Sequence, residues 1–120
     1  MDVDTNDLKR AREFAQKERG DKYKLGKQGP DQYDCTGIIC AVYHVLVGNS
    51  NKTKRLFFTG NMATVLPTLG FVAGTGKHPQ HDFVAGFSMK AELGMDFGHT
   101  AGSLGRLNVE SRGGKGVLVS

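Results

Sequence analysis

The sequence has few cysteines, no long apolar run and no apolar segment at its N-terminus. Two cysteines, Cys35 and Cys40, among 120 residues exclude a disulfide-rich scaffold. The longest apolar stretch, residues 38–47, is interrupted by His44 and is too short to cross a bilayer. The N-terminal segment is acidic and polar, which predicts no secretory signal. We therefore expect no membrane partner, and action outside the cytoplasm would require separate delivery.

The composition is typical of one globular domain over residues 1–120. Hydrophobic residues make up 38% and charged residues 23%, and this length suffices for one core but not for two. Five of the 17 glycines lie in residues 1–59 and twelve in residues 60–120. This asymmetry predicts helices in the first half and short strands joined by tight turns in the second.

Hydrophobic spacing predicts helices followed by a run of strands. Helices are expected at residues 6–19 and 61–66, with a polar loop at residues 20–34. Residues 35–47 are apolar nearly all round, which is typical of a buried central helix. Strands are predicted at residues 82–87, 98–104, 107–111 and 116–119. This order indicates an α+β fold, with N-terminal helices packed on a small antiparallel sheet.

The net charge of +4 comes mostly from the first half of the chain. Residues 1–60 carry 11 Lys and Arg against 8 Asp and Glu, and residues 61–120 carry 5 against 4. Such an excess suits an anionic partner, either nucleic acid or a bacterial cell wall. Part of it is the basic loop, defined here as Lys22, Lys24 and Lys27, for which a solvated surface is the ordinary interpretation.

The segment Tyr-Asp-Cys-Thr-Gly at residues 33–37 marks the change from polar loop to apolar helix. A cysteine in a first helical turn faces unpaired backbone N–H groups and the positive end of the helix dipole, which favour the nucleophilic thiolate. Cys35 is therefore a candidate nucleophile. Cys40, in the middle of the helix, fits a buried core residue. Five residues separate the two by about 140° around a helix, so they are not expected to bond to each other.

His99 lies between small residues in the segment Phe-Gly-His-Thr-Ala-Gly at residues 97–102. A catalytic cysteine needs a nearby base, and that base needs a third group to orient it. The next predicted strand offers Asn108 and Glu110, which share one face because side chains alternate along a strand. The sequence leaves both open as the orienting residue.

The remaining candidates favour ordinary structural roles. His44, in the apolar helix, fits a core histidine. His78 and His81 have no further ligands at zinc-site spacing, so no metal site is predicted. The glycine-rich residues 113–116 lack the strand–loop–helix pattern of a phosphate loop and predict a turn between strands.

Taken in order, these motifs resemble the NlpC-type cell-wall cysteine peptidases, a papain-like family. In that family a Tyr-x-x-Gly-Gly segment leads into Asp-Cys-Ser-Gly at the head of a buried helix, and a Gly-His strand precedes a polar residue on the next strand. Here Tyr23 stands twelve residues before Cys35, and His99 precedes Glu110. The resemblance covers about residues 8–119. Further matching positions are Gly26, Gly29, Pro30, Asp34, Gly37, Gly98 and Gly102.

The resemblance implies a papain-like fold with the nucleophile at the start of the central helix. It implies Cys35 as nucleophile, His99 as general base and acid, and Glu110 as the orienting residue, with Asn108 as the alternative. Two positions depart from the family pattern, since Thr36 replaces Ser and Lys27 stands where a second Gly is common. The residues implied to contact substrate are Tyr23, Asp34, Thr36 and Gly98.

The activity implied is that of a peptidoglycan endopeptidase cutting the stem peptide between D-isoglutamate and meso-diaminopimelate. The glycine-rich C-terminal run looks most like lysins of phages that infect mycobacteria and related actinobacteria. The expected partner is peptidoglycan rather than nucleic acid, acted on by a monomer without metal or cofactor. Two alternatives stay open: a related amidase or acyltransferase using the same Cys and His, and a non-catalytic wall-binding module. Retention of Cys, His and a polar third residue argues against the module.

Overall fold

The fold comes from a computed structural model that does not describe the whole chain. None of the described helices is long and apolar enough to cross a membrane. The predicted strand residue Asp82 and the histidines His78 and His81 lie outside the described residues. The described ranges are residues 1–74, 83–88 and 98–120.

The first helix, α1 (Thr5–Glu18), lies within one residue of the predicted bounds. It begins after Asp4, whose carboxylate accepts a hydrogen bond of 2.8 Å from the Asn6 N–H and so satisfies one of the unpaired donors of the first turn. Its apolar side packs into the core at helical spacing. The buried residues of this side are Leu8, Ala11 and Ala15.

The central helix α2 (Cys35–Leu46) is the core of the molecule. Every residue after Cys35 in this helix is buried, which explains why the sequence is apolar on all sides. Gly48, with φ at +78°, follows its C-terminal end in a conformation that favours glycine. The prediction of a buried central helix headed by Cys35 is therefore confirmed.

An antiparallel sheet covers one side of α2. Its four strands pair in the order in which they follow along the chain, and each predicted strand is found with its described ends within one residue. Gly102 lets the sheet approach the helix, because a Cβ there would lie 2.9 Å from Ile39 Cδ1 and 3.0 Å from the Val84 carbonyl oxygen. The strands are β3 (Phe83–Ser88), β4 (His99–Leu104), β5 (Leu107–Arg112) and β6 (Gly116–Val119).

The prediction of a plain loop over residues 20–34 is wrong. Two short strands, here called β1 (Lys22–Tyr23) and β2 (Gln32–Tyr33), pair in parallel within it. The Lys24 N–H also donates to the Tyr33 carbonyl oxygen. These pairings use backbone groups between polar residues, so no alternation of apolar side chains signals them in the sequence.

A short helical segment connects α2 to the sheet. It consists of a 3₁₀ turn (Thr59–Asn61), the single-turn helix α3 (Met62–Val65) and a second 3₁₀ turn (Leu66–Leu69). The helix predicted at residues 61–66 is thus confirmed in position. Met62 is fully buried and anchors this segment in the core. Thr59, at its start, contacts Cys35 in the first turn of α2 and Thr100 near the start of β4.

Candidate active site

The head of α2 is capped by Asp34. Its Oδ1 accepts hydrogen bonds from the Gly37 N–H at 2.6 Å, and its Oδ2 accepts from the Gly26 N–H at 2.9 Å. The same carboxylate therefore starts the helix and holds the preceding loop against it. Cys35 is the first residue of the helix, partly exposed and not in a disulfide. This is the position predicted for a nucleophile.

Gly37 explains why the Asp-Cys-Thr-Gly segment ends in glycine. A Cβ at this position would collide with the Lys27 carbonyl oxygen and would lie 2.9 Å from Asp34 Oδ1. The Lys27 carbonyl itself accepts a 2.9 Å hydrogen bond from the Asp34 N–H. The missing side chain thus allows the loop backbone to pass directly over the first turn of α2.

Arg55 also holds this first turn in place. Its guanidinium forms two parallel bonds to Asp34, 2.9 Å from Nη1 to Oδ1 and 3.0 Å from Nη2 to Oδ2. Nη1 also donates to Thr36 Oγ1 at 2.7 Å, and the guanidinium stacks 4.5 Å from the ring centroid of Phe58. Arg55 carries no functional signal in the sequence, because it lies 21 residues after Asp34 in a segment that looks like an exposed linker.

Asp34 and Thr36 do not present free side chains to a substrate. They are 3% and 2% exposed, and their polar atoms are bonded to each other, to Arg55 and to backbone N–H groups. The expectation of direct substrate contact by these two side chains is therefore corrected. Burial beneath the nucleophile makes them groups that position the helix start rather than groups that bind a ligand.

His99 and Glu110 face each other on neighbouring strands. Their side chains form a hydrogen bond of 2.8 Å between Nε2 and Oε2. In the strand register Glu110 lies opposite Ala101, so it is the diagonal neighbour of His99 on the same face. Asn108 lies opposite Ser103, farther along β4, and is exposed. The structure thus places Glu110, and not Asn108, against His99.

This contact fixes the imidazole for base chemistry. A carboxylate accepts the hydrogen of Nε2, so in the neutral ring the lone pair is on Nδ1. Both side chains are 29% exposed, which leaves the His99 ring accessible from the surface. Gly98 directly precedes His99 at the start of β4 and is partly exposed.

Hydroxyl groups connect Cys35 with the beginning of β4. Cys35 Sγ lies 3.8 Å from Thr59 Oγ1, which in turn lies 2.8 Å from Thr100 Oγ1. Thr100 follows His99 directly in the chain, so these contacts bring the first turn of α2 next to the residue that follows His99. The sequence gives no functional signal for Thr59, which looks only like a helix cap.

Tyr23, on β1, lies close enough to Cys35 and Asp34 for their charges to act on its phenol. Burial first, and then the negative charges of Cys35 and Asp34, raise the pKa of its phenol above the usual value. The hydroxyl therefore stays protonated and is a hydrogen-bond donor at neutral pH. Of the residues expected to contact substrate, Tyr23 and Gly98 are the two that remain accessible.

The residues predicted to have structural roles have them. Cys40 is fully buried, and burial raises the pKa of its thiol. The buried ring of His44 has a partner at each nitrogen, the Lys54 carbonyl oxygen at 2.7 Å and the Asn49 side-chain amide at 3.0 Å. Residues 113–115 form the turn that connects β5 to β6, and Gly116 is the first residue of β6. The three side chains of the basic loop are exposed.

Comparison with solved structures shows the fold of this chain. The solved structure of NlpC1 from Trichomonas vaginalis is similar to this chain, with a TM-score of 0.66 and 22% sequence identity. The similarity covers 100% of this chain and 41% of that one, so the chain spans less than half of its length. The sequence matches no family model and no curated protein. The architecture is thus an α+β, papain-like fold of the NlpC type.

Proposed function

We propose that this protein is a cysteine endopeptidase that cuts the stem peptide of bacterial peptidoglycan. The observation that carries the proposal is the His99–Glu110 pair at the start of β4, next in the chain to Thr100, which Thr59 connects to Cys35 at the head of α2. A thiol at a helix start, an imidazole and an orienting carboxylate are the parts that acyl transfer by cysteine requires. The substrate class rests on the motifs of residues 23–37 and 98–110.

The chemistry assigned to these groups is a two-step hydrolysis. His99 takes the thiol proton, and the Cys35 sulfur bonds to the carbonyl carbon of the peptide bond. Backbone N–H groups at the start of α2 stabilise the resulting oxyanion. The C–N bond breaks as His99 gives the proton to the leaving amine. Water, deprotonated by His99, then attacks the thioester, and the released sulfur recovers the proton.

The finer parts of the proposal concern the bond and the setting. The bond is between D-isoglutamate and meso-diaminopimelate, with Tyr23 and Gly98 contacting the substrate, while Asp34 and Thr36 position the nucleophile. The setting is cell-wall lysis by a phage of actinobacteria. The support for bond and setting is the sequence resemblance of residues 8–119.

Digestion of diaminopimelate-type peptidoglycan from an actinobacterium tests the proposal directly. Wild type should release fragments with a new amino terminus on diaminopimelate, read by mass spectrometry of the muropeptides. Cys35→Ala should release none, and Glu110→Gln should cut at least about tenfold more slowly because His99 loses its orienting charge. Cys40→Ala is the matched control, since it removes a thiol of the same helix that lies in the core.

The possible failures have different meanings. Cleavage by Cys35→Ala at the wild-type rate would reject Cys35 as the nucleophile. Glycan strands released with intact stem peptides would identify an amidase instead. Binding to the wall without any cleavage by wild type would support a non-catalytic module.

A further inference from the structure

The two threonines beside Cys35 belong to a chain of four groups that ends in the core. Beyond the contacts of Thr59 with Cys35 and Thr100, the Thr100 hydroxyl lies 3.2 Å from Met62 Sδ. Thr100 and Met62 are both fully buried. Among the described residues, the Thr100 hydroxyl bonds to Thr59 and to this thioether, and these two partners determine the hydrogen-bond directions along the chain of groups.

The thioether fixes those directions. Met62 Sδ has no hydrogen, so the Thr100 hydroxyl donates to it. Having used its one hydrogen, Thr100 accepts from the Thr59 hydroxyl at 2.8 Å. Thr59 has then used its own hydrogen, so it accepts from the Cys35 S–H across 3.8 Å. In the resting protein every hydrogen therefore points away from the sulfur and into the core.

Once the Cys35 thiol has lost its proton, these hydrogen-bond directions are unfavourable. The reversed directions, with the threonine hydrogens pointing toward the sulfur, are then better. A thiolate accepts hydrogen bonds strongly, whereas a thioether is a weak acceptor. If Thr100 turns its hydrogen from Met62 to Thr59, then Thr59 can turn its hydrogen to the Cys35 sulfur. The only bond given up is the weak one to Met62, and no proton leaves either threonine.

We propose that Thr59 is a catalytic residue whose hydroxyl reverses direction to stabilise the Cys35 thiolate, with Thr100 as the positioning residue that permits the reversal. The proposal rests on the proposed function in one respect, namely that Cys35 is the nucleophile. It assigns the proton released by the thiol to His99 and none to the threonines. Thr59 then contributes to thiolate formation before any substrate is bound.

Alkylation of Cys35 by iodoacetamide tests this without any peptidoglycan, because only the thiolate reacts at an appreciable rate. At about pH 7, Thr59→Val should react about tenfold more slowly than wild type, the loss expected for one hydrogen bond to a charged group. Thr59→Ser keeps a hydroxyl and should restore most of the rate. The difference should shrink as the pH is raised, because hydroxide then removes the thiol proton without help from the threonine.

Three controls make the result specific. Thr53→Val, in the preceding exposed loop, removes a hydroxyl bonded to Asn51 and should leave the rate unchanged. Peptide mass spectrometry assigns the label to Cys35 rather than Cys40. Thr59→Ala, measured with thermal melts of both variants, repeats the test with a smaller side chain.

Equal alkylation rates at about pH 7 for wild type and for Thr59→Val or Thr59→Ala would overturn the proposal. So would slow alkylation that persists at high pH, which would indicate blocked access instead. The outcome is independent of the wall substrate. A wild type that alkylates as expected but cuts no peptidoglycan would contradict the proposed function and leave the role of Thr59 supported.

Discussion

The ion pair between Arg55 and Asp34 should contribute strongly to the free energy of unfolding. The two side chains are 17% and 4% exposed, so the pair is largely removed from water. Replacing Arg55 with Met keeps an unbranched aliphatic stem but removes the guanidinium, and with it the stacking on Phe58. It leaves the Asp34 carboxylate buried without its cation, bonded only to Thr36 and to the backbone N–H groups of the helix start and the loop.

The magnitude follows from that burial. Removing one partner of a buried ion pair reduces the free energy of unfolding by about 3–5 kcal/mol. The lower end applies, because the N–H groups of Gly26 and Gly37 still stabilise the carboxylate. For a chain of this length about 3 kcal/mol corresponds to a melting temperature lower by about 10 °C. Arg55→Lys keeps the charge but not the two parallel bonds, so we expect an intermediate loss.

Thermal unfolding followed by circular dichroism measures the effect. Arg106→Met is the matched control, because Arg106 is exposed in the turn between β4 and β5. We expect the control to change the melting temperature by no more than about 2 °C, as exposed charges contribute little. An Arg55→Met protein that melts with the control would refute the reasoning, since the pair would then contribute no more than a surface contact.

Two further predictions concern charge. Burial and then the neighbouring Asp21 raise the pKa of Glu18 from 4.5 to about 7, so the folded protein binds the proton more tightly than the unfolded chain. The free energy of unfolding should therefore fall as pH rises from about 4.5 to about 7. Glu18→Gln should melt at a higher temperature than wild type at about pH 8. Glu13→Gln, at an exposed position, is the control. An equal dependence of the melting temperature on pH in wild type and Glu18→Gln would contradict this prediction. For the basic loop, we expect replacement of all three lysines by Gln to weaken sedimentation with cell-wall sacculi at low salt only, and unchanged binding would exclude a role in wall attraction.

Local pattern was sufficient to predict much of the candidate site. The polar-to-apolar boundary at Cys35 predicts a nucleophile at a helix start, and small residues around His99 predict an accessible strand. These features depend on residues close together in sequence, where helix and strand periodicity apply directly. The choice between Asn108 and Glu110 was different, because both lie on one face of β5. Only the strand register, which depends on the turn after β4, brings Glu110 to His99.

Contacts between distant segments account for what the sequence did not predict. Arg55 lies 21 residues beyond Asp34 and Thr59 lies 24 residues beyond Cys35, in a stretch with no apolar period and no motif. The burial of Asp34 and Thr36 also depends on contacts with distant segments. From the sequence alone, a polar motif next to a nucleophile is expected at the surface.

The sequence by itself determined the α+β order of elements, the buried central helix and the identity of Cys35 and His99 as candidates, since each of these follows from local periodicity and side-chain chemistry. Only the tertiary structure decided which carboxylate orients His99, which residues are buried beneath the nucleophile and which hydroxyl touches its sulfur. Those outcomes depend on register and packing between segments far apart in the chain, and residue spacing alone does not specify such contacts.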